Sequence, residues 1–367
     1  MDKQKLQRIS QPVTNVYLGI EETILLNIAK RLGKHHSLLT EDNIQSWQTQ
    51  ALNELEGLTE ENIRFIASQS GKTTEEVRKA LEKAGFGALE ENESIFHRAA
   101  KRGLLEEAPS VEESSALIAI LDTYQRQAQE TFNLVNTTML DQSRQAYLDV
   151  VNRTTSEVLA GISTPDQALR KTVSEWSKVG TPALIDRSGR RWSSEAYVNA
   201  IVRSTVNNTA NEMQNQRMDE WGVDLIEVSS HNGARPLCAP YQGRIYSRSG
   251  NHPTYPPLSS TSIGEPAGLF GVNCGHVRYP FIEGISKQRY KPRDPEVNDR
   301  QYENSQKQRY LERQIRYAKR EQAMLEQIGD TEGAEIAKRK VLDRQKNMRN
   351  FIGKTNRTRR YNREAIH

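Results

Sequence analysis

The sequence predicts an α+β protein that is mostly α-helical, with one small mixed segment set among long helical stretches. Three observations support this fold class. Apolar residues make up only 35% of the 367 residues, against roughly 45–50%, glycine included, in an average globular protein. They recur at helical spacing over most of the chain. Both cysteines, with a dense group of glycine, proline and aromatic residues, fall between residues 231 and 276.

A chain of this length exceeds what one hydrophobic core normally serves, so two or three domains are expected. Composition and periodicity divide the chain into four parts. These are an N-terminal helical region at 1–110, a long amphipathic helix with a connector at 111–179, a small α+β Cys/His domain at 180–286, and a basic helical tail at 287–367.

Residues 1–110 predict short helices joined by turns. Thr59 and Thr73 each precede acidic residues in the manner of an N-terminal cap, which predicts a helix start at each position. The Gly-Phe-Gly sequence at 85–87 predicts a break in the helical pattern that follows.

Residues 112–160 predict one long amphipathic helix, or two nearly collinear ones, of up to ~70 Å at 1.5 Å per residue. Neither proline nor glycine interrupts this stretch. The helix could be a coiled-coil or bundle strut that mediates self-association, or an ordinary helix packed against residues 1–110. The apolar stripe consists of Leu117, Leu121, Tyr124, Ala128, Phe132, Val135, Met139, Ala146 and Val150.

Local signals give the elements between residues 164 and 229. The Thr-Pro-Asp-Gln sequence at 164–167 combines a cap, a proline at the first helical position and a glutamine that closes a capping box. Residues 184–192 predict a hairpin that turns at its Ser-Gly pair. A capping serine predicts a helix from about 194 to 219, and the alternation at 224–229 predicts a strand.

The tail is strongly basic. It is predicted to be helical from about 296 to 327 and from 332 to 351, with a turn at Gly329-Asp330. It carries 22 Lys and Arg against 12 Asp and Glu, a net charge of +10, whereas the remaining 286 residues carry 29 against 35, a net charge of −6. A basic tail on an acidic body suggests a polyanion or an acidic protein surface as partner. A solvated tail that only keeps the protein soluble is the alternative.

Ten basic residues of the tail are candidates for contact with the phosphates of double-stranded DNA, without sequence readout, or with an acidic protein surface. They are Lys338, Arg339, Lys340, Arg344, Lys346, Arg349, Lys354, Arg357, Arg359 and Arg360.

Four residues of the Cys/His domain suggest a metal site. His231, Cys238, Cys274 and His276 could hold one structural Zn²⁺ as a tetrahedral Cys₂His₂ set. The spacing is a departure, because six residues separate His231 from Cys238, whereas structural sites usually have roughly two to four within each pair. Two alternatives remain open. Both cysteines could be reduced and buried, with the histidines hydrogen-bonded to loop carbonyls. They could also form a disulfide in an oxidising environment.

No catalytic motif is found in the sequence. HExxH and Gly-x-Ser-x-Gly are both absent, and the acidic residues near the cysteines, Glu227, Glu265 and Glu283, show no motif spacing. We therefore expect no catalytic residues and no enzymatic activity. The alternative is a metal-dependent nuclease or related enzyme acting on DNA. Arg235 is expected to hydrogen-bond loop backbone or a carboxylate with its planar fork. The Arg-Ser-Thr sequence at 203–205 is expected to make a buried polar contact from its helix.

The sequence has no run of 18 apolar residues, so no membrane span is expected. The N-terminus leads into no apolar core of the signal-peptide type, and two cysteines are too few for a disulfide framework. These features indicate a protein that is made and kept in a cytoplasm.

Several ordered motifs between residues 182 and 276 resemble those of one protein family. They are Pro-Ala-Leu-Ile-Asp-Arg-Ser-Gly-Arg-Arg-Trp at 182–192, Tyr197, Arg-Ser-Thr at 203–205, Gly-Val-Asp-Leu at 222–225, Ser-His-Asn-Gly-Ala-Arg-Pro-Leu-Cys at 230–238, Tyr-Gln-Gly-Arg-Ile-Tyr-Ser at 241–247, and Gly-Leu-Phe-Gly-Val-Asn-Cys-Gly-His at 268–276.

In these motifs the chain resembles the phage minor capsid protein 2 family, which are head proteins of tailed phages and prophages of Gram-positive bacteria. The family is also similar to the phage Mu head-morphogenesis type, in which a Cys-x-x-Cys pair precedes a His-Pro-x-Cys-Arg-Cys element. Here Tyr241 stands where the second cysteine of the pair would be, so the ligand set of the Mu type does not carry over intact.

The resemblance implies a non-enzymatic minor structural protein of the virion head, made in the cytoplasm of the bacterial host. Such proteins are present in few copies, associate with the portal and with major capsid or scaffold proteins, and enter or leave with DNA. The resemblance therefore implies a role in head assembly, portal association or genome delivery.

Overall fold

The computed structural model describes residues 3–355 and 357–366. It is 67% helical, and its strands form two small antiparallel sheets, which confirms a mostly α-helical α+β protein. The helices are α1 (Lys3–Gly33), α2 (Ile44–Asn53), α3 (Leu55–Ala100), α4 (Ser115–Leu159), α5 (Pro165–Val179), α6 (Ser194–Glu220), α7 (Pro295–Ile328) and α8 (Thr331–Thr355). The strands are β1 (Pro182–Ile185), β2 (Arg191–Ser193), β3 (Leu225–Val228), β4 (Ile245–Ser247) and β5 (Arg278–Pro280).

The chain forms two compact units, each assembled from three separate stretches. The first unit contains the described residues of Met1–Thr14 together with Thr73–Thr131 and Asn199–Ser305. The second contains Asn15–Lys72, Phe132–Val198 and the described residues of Gln306–His367. The division into four consecutive parts made from the sequence stays a prediction.

The N-terminal region forms long helices, and the prediction of short ones was wrong. Helix α1 has 31 residues and α3 has 46. Thr59 lies inside α3, where its hydroxyl donates to the carbonyl of Leu55 one turn earlier (2.8 Å) instead of capping a new helix. A side-chain bond of this kind lets a hydroxyl residue sit within a helix without ending it. Thr73 lies inside the same helix.

The Gly-Phe-Gly sequence at 85–87 does not break α3 either. A Cβ atom on Gly85 would collide with the sulfur of Met213 in α6, so the glycine allows these two helices of the first unit to approach closely. Glycine costs about 1 kcal/mol inside a helix relative to alanine. Here the glycine makes room for tertiary packing, which the sequence pattern does not display.

The predicted long helix is confirmed as α4. In the second unit it packs against the N-terminal helices. Tyr17 of α1 stacks on Phe132 of α4 with ring centroids 5.1 Å apart, and the hydroxyl of Tyr147 donates to the carbonyl of Ala51 in α2 (2.8 Å). These contacts confirm the interpretation of a helix packed on residues 1–110. Self-association through α4 stays a prediction.

The elements that local signals predicted between residues 164 and 193 are confirmed. Helix α5 begins with the complete capping box of Thr164 and Gln167. Strands β1 and β2 pair antiparallel, and the carboxylate of Asp186 closes their turn by accepting the backbone N–H groups of Ser188 and Arg190, each at 3.0 Å. A turn held by its own residues forms without help from distant parts of the chain.

The predicted strand is confirmed as β3, the centre of a three-stranded antiparallel sheet with the order β4-β3-β5. All four of its residues are buried. The long loops before and after β4 pack with this sheet and with the end of α3 in one apolar cluster of the first unit. Its members include Phe96, Trp221, Ile226, Val228, Cys238, Leu269, Phe270 and Cys274.

The tail helices are confirmed as α7 and α8, which meet at Gly329 with a φ of 94°. In the second unit α7 carries a buried charge network. Arg320 Nη2 lies 2.7 Å from a carboxylate oxygen of Glu21, and Arg320 Nε lies 3.6 Å from one of Glu22. Burial raises the pKa of both carboxyl groups, and the charge of Arg320 offsets only part of that rise. Two acids therefore share one buried guanidinium.

Candidate functional site

Cys238 and Cys274 lie in two loops of the first unit that are separated by 36 residues in sequence. Cys238 precedes a short 3₁₀ turn, and its backbone N–H donates to the carbonyl of Arg235 (2.8 Å). Cys274 lies just before β5, with His276 two residues further on. The β-sheet brings these loops together, because β3 pairs directly with β5 and precedes the first loop.

The loop that carries Cys274 has an unusual backbone. Phe270 and Asn273 have φ values of 61° and 59°, a left-handed region that residues with a side chain rarely adopt. Two glycines in the same loop are necessary because backbone carbonyls lie too close to them for a Cβ atom. A Cβ on Gly268 would collide with the carbonyl of Ser262, and one on Gly271 would come within 2.6 Å of the carbonyl of Pro266.

Three of the four predicted metal ligands come together. Cys238 Sγ lies 4.0 Å from Cys274 Sγ, and Cys274 Sγ lies 3.4 Å from His276 Nδ1. All three ligand atoms lie within 4.8 Å of one another, and all three side chains are buried. Both cysteines are free thiols. Among the described residues, no acidic side chain joins this group.

The imidazole of His276 is oriented by Gln242. The side-chain oxygen of Gln242 accepts the backbone N–H of His231 (2.9 Å) and lies 3.2 Å from His276 Nε2. Because that oxygen can only accept, His276 Nε2 must carry the proton. In the neutral ring, Nδ1 then has a lone pair, and this atom faces Cys274.

The fourth predicted ligand, His231, is placed differently. Its ring stacks on that of His276 with centroids 4.5 Å apart and an angle of 19° between the planes. Its Nδ1 lies 3.3 Å from the carbonyl of Asn232. The structure therefore brings His231 next to the cluster, but against the face of a ligand ring instead of among the ligand atoms.

The two thiols interact with each other and differ in acidity. The hydrogen bond with the Cys238 thiol lowers the pKa of Cys274 well below its usual range, and burial opposes this shift only in part. The same hydrogen bond and burial raise the pKa of Cys238. Cys274 Sγ also accepts the backbone N–H groups of Phe270 (3.2 Å) and His276 (3.4 Å). The two backbone N–H groups favour the ionised form of this sulfur, because hydrogen bonds to a charged group stabilise it.

Arg235 and Ser204 both hydrogen-bond the backbone of the cysteine loops. The guanidinium of Arg235 donates to the carbonyls of Val272 (2.7 Å) and Gly268 (3.3 Å), and thereby ties the two cysteine loops together. The hydroxyl of Ser204 in α6 accepts the backbone N–H of Asn273 (2.9 Å). That bond supports one of the two left-handed residues.

The acidic residues considered for an active site have other contacts. Glu227 accepts the backbone N–H groups of Arg289 (2.7 Å) and Tyr290 (2.5 Å), and Glu283 lies 3.6 Å from His252. Glu265 is exposed. Sequence reasoning overlooked the role of Gln242, for which a single glutamine in a loop gives no signal.

The ten basic residues of the tail fall into two groups. Six have acceptors within the protein: Lys338 with Glu335, Lys340 with Glu321, Arg344 with the carbonyl of Gln314, Arg357 with Gln308, Arg359 with Glu364, and Arg360 with Glu312. The remaining four are exposed on α8: Arg339, Lys346, Arg349 and Lys354.

Comparison with known proteins gives the family. The model of the phage minor capsid protein 2 family matches residues 1–353. The chain belongs to the phage minor capsid protein 2 family. The resemblance in the motifs at 182–276 is thereby confirmed and extends over most of the chain.

Two relatives of this minor capsid protein are named as structural proteins of phages. That of Lactococcus phage LL-H is 28% identical over 369 residues, which cover 96% of this chain and 98% of the relative. That of Lactococcus phage mv4 is 35% identical over 116 residues, which cover 31% of this chain and 94% of the relative. No solved structure gives a significant match. Within the described residues, none of the helices combines the length and the apolar character needed to cross a membrane.

Proposed function

We propose that the protein is a minor structural component of a phage head, which takes part in head assembly at the portal and inner capsid and in delivery of the genome. The observation that carries this proposal is the match of residues 1–353 to a family of minor capsid proteins. The structural proteins of two phages among its relatives support it.

The burial of the Cys/His cluster supports a role without catalysis. Cys238, Cys274 and His276 are 1%, 3% and 1% exposed. A catalytic metal needs an open position that a substrate can reach and a base beside it. A nuclease acting on packaged DNA would have to admit a phosphodiester to a cluster that the surrounding loops enclose. This alternative is therefore less well supported than a structural role.

Location in the particle tests the proposal. We expect mass spectrometry to find the protein, in few copies, in purified procapsids that contain portal and in mature virions. Its amount should fall in particles that have ejected their DNA if it leaves with the genome. Absence from both procapsids and virions would refute the head role. Cleavage of DNA by the purified protein, dependent on added metal and lost on chelation, would favour the nuclease.

The exposed basic residues of α8 supply a surface for packaged DNA. Arg339 and Lys346 are seven residues apart, close to two helical turns, so they share one face of the helix. Arg349 and Lys354 lie on the next turns. Side chains exposed in this way can neutralise phosphates at little cost, whereas Arg360 would first have to leave the carboxylate of Glu312.

Salt-dependent DNA binding tests this surface. Replacing all four residues by glutamine should lower affinity for duplex DNA and reduce the slope of log affinity against log salt by about 0.9 for each phosphate that is no longer neutralised. A matched variant that removes four exposed basic residues elsewhere should change both much less. Its substitutions are Lys72→Gln, Lys83→Gln, Lys101→Gln and Arg126→Gln. Equal effects in both variants would mean that α8 has no special role in DNA binding. If the wild-type protein does not bind duplex DNA even at low salt, an acidic portal or scaffold protein would be left as the partner of α8.

A further inference from the structure

We propose that Cys238, Cys274 and His276 bind one Zn²⁺ ion through two sulfurs and the Nδ1 atom of the imidazole, with a small ligand such as water at the fourth position. His231 is assigned a place outside the ligand set, where its ring covers that of His276. This proposal differs from a Cys₂His₂ site and is independent of the function proposed above.

The distances between the donor atoms are close to those of a tetrahedral zinc site. Bonds of about 2.3 Å to sulfur and about 2.0–2.1 Å to nitrogen at tetrahedral angles place two sulfurs about 3.8 Å apart, and a sulfur and a nitrogen about 3.6 Å apart. The observed separations are 4.0 Å between the sulfurs of Cys238 and Cys274, and 3.4 Å between Cys274 Sγ and His276 Nδ1. Two of the three donor–donor separations therefore match those of a zinc site, and the third is no longer than 4.8 Å.

The chemistry of the donors suits the same ion. Thiolate and imidazole are the ligands that Zn²⁺ prefers. Two thiolates would neutralise the charge of the ion, which removes the main obstacle to placing it in a buried cluster. Backbone N–H groups of Phe270 and His276 point at Cys274 Sγ, and the guanidinium of Arg235 lies 3.8 Å from Cys238 Sγ. Each sulfur thus has a donor that favours its ionised form.

The surroundings of His276 match those of a ligand histidine. A histidine that binds a metal through one nitrogen usually donates its other N–H to a carbonyl or carboxylate, which fixes the tautomer. The side-chain carbonyl of Gln242 is such an acceptor, since its oxygen lies 3.2 Å from His276 Nε2. That same oxygen is held by the backbone N–H of His231, so the amide cannot rotate away without losing a second bond.

The orientation of His231 excludes it from the ligand set in this conformation. The lone pair of an imidazole nitrogen lies in the plane of its ring, so two imidazoles that share one ion have planes that meet at the ion. The planes of His231 and His276 are stacked 19° from parallel, with centroids 4.5 Å apart. Their in-plane lone pairs therefore cannot converge on a common point beside Cys274.

Such a site would join two loops that have no helix or strand of their own at the cysteines. Cys238 and Cys274 are 36 residues apart in sequence, and the loop around Cys274 contains two left-handed residues, Phe270 and Asn273. Because the ion binds the folded arrangement and not the unfolded chain, its binding free energy stabilises the fold.

Metal analysis of the full chain, purified with reductant and without added metal, is the first test. We expect close to one zinc per chain, and we expect Co²⁺ to replace it with the visible bands of a tetrahedral ion and a thiolate charge-transfer band in the near ultraviolet. Chelation should lower the melting temperature, and added Zn²⁺ should restore it. A chain that holds no zinc and gives no Co²⁺ spectrum after reconstitution overturns the proposal, as does a disulfide in the intact mass.

Variants then assign the ligands. Cys238→Ser and His276→Phe should each lose the zinc and the tetrahedral Co²⁺ spectrum. His231→Phe preserves a ring for stacking and should keep the full zinc content, as should the matched control His252→Phe in a neighbouring loop. Loss of zinc from His231→Phe would overturn the three-residue assignment. If a cysteine variant fails to fold, the charge-transfer band of the wild-type Co²⁺ protein still decides whether thiolates are ligands.

Discussion

The buried network of Arg320, Glu21 and Glu22 makes a sharp prediction about stability. The three side chains are 6%, 2% and 4% exposed, so water screens them little. Arg320→Met keeps a side chain of similar length and leaves two buried carboxyl groups without a cation. Removing one partner of a buried ion pair costs about 3–5 kcal/mol, and we expect a loss in the free energy of unfolding of this size at pH 8.

The sign of the pH dependence follows from the raised pKa values of the two acids. A carboxyl group with a raised pKa binds its proton more tightly in the folded state. Its contribution to stability is fully present below the ordinary pKa of 4.5 and is lost as pH rises through the raised value. The loss caused by Arg320→Met should therefore be smaller at pH 5 than at pH 8. Glu22→Gln, which removes the surplus acid, should gain up to ~1 kcal/mol at pH 8 and less at pH 5.

Urea unfolding at both pH values measures these differences. Lys338→Gln is the control, because its partner Glu335 and Lys338 itself are 59% and 55% exposed, and a pair of this kind contributes within about 0.5 kcal/mol. A loss below about 1 kcal/mol for Arg320→Met, or equal losses at pH 5 and pH 8, would refute the reasoning, since an unpaired buried acid must respond to pH.

Two further predictions concern the free energy of unfolding. Gly85→Ala should destabilise the protein by about 1–2 kcal/mol, because the added Cβ meets a methionine of α6. Gly71→Ala in the same helix has open space around the added Cβ and should stabilise the protein by about 0.5–1 kcal/mol. Urea unfolding should distinguish the two variants, and equal effects would contradict the packing argument. Burial alone would raise the pKa of Glu54, but hydrogen bonds from Lys34 and Arg31 lower it to about 2. Its contribution is present above pH 4.5 and lost as pH falls toward 2, so Glu54→Gln should flatten the acid side of the stability profile, and an unchanged profile would argue against the pairing.

The parts of the fold that the sequence predicted are those that local residues determine. The capping box at Thr164 and the turn held by Asp186 each use residues within a few positions of one another. The failures lie where tertiary packing decides. Thr59 has the same cap-like surroundings in sequence, yet it lies inside α3, where its hydroxyl donates to the carbonyl of Leu55. From the sequence alone, a glycine that lets a neighbouring helix approach closely cannot be distinguished from a glycine that ends a helix.

The candidate site shows the same limit. The sequence marked His231, Cys238, Cys274 and His276, because these residue types are rare elsewhere in the chain. It could not show that the ring of His231 would lie flat against that of His276, since ring orientation depends on the path of both loops. The importance of Gln242 also depends on a contact across 34 residues.

The burial of the only two cysteines in the chain has a practical consequence. A thiol reagent in solution can reach Cys238 or Cys274 only when the first unit opens. When closing is faster than labelling, the labelling rate measures the population of the open form. The protein thus contains its own reporter of local unfolding, which needs no engineered probe. In phage particles treated with a chelator, labelling would measure how firmly this unit holds together.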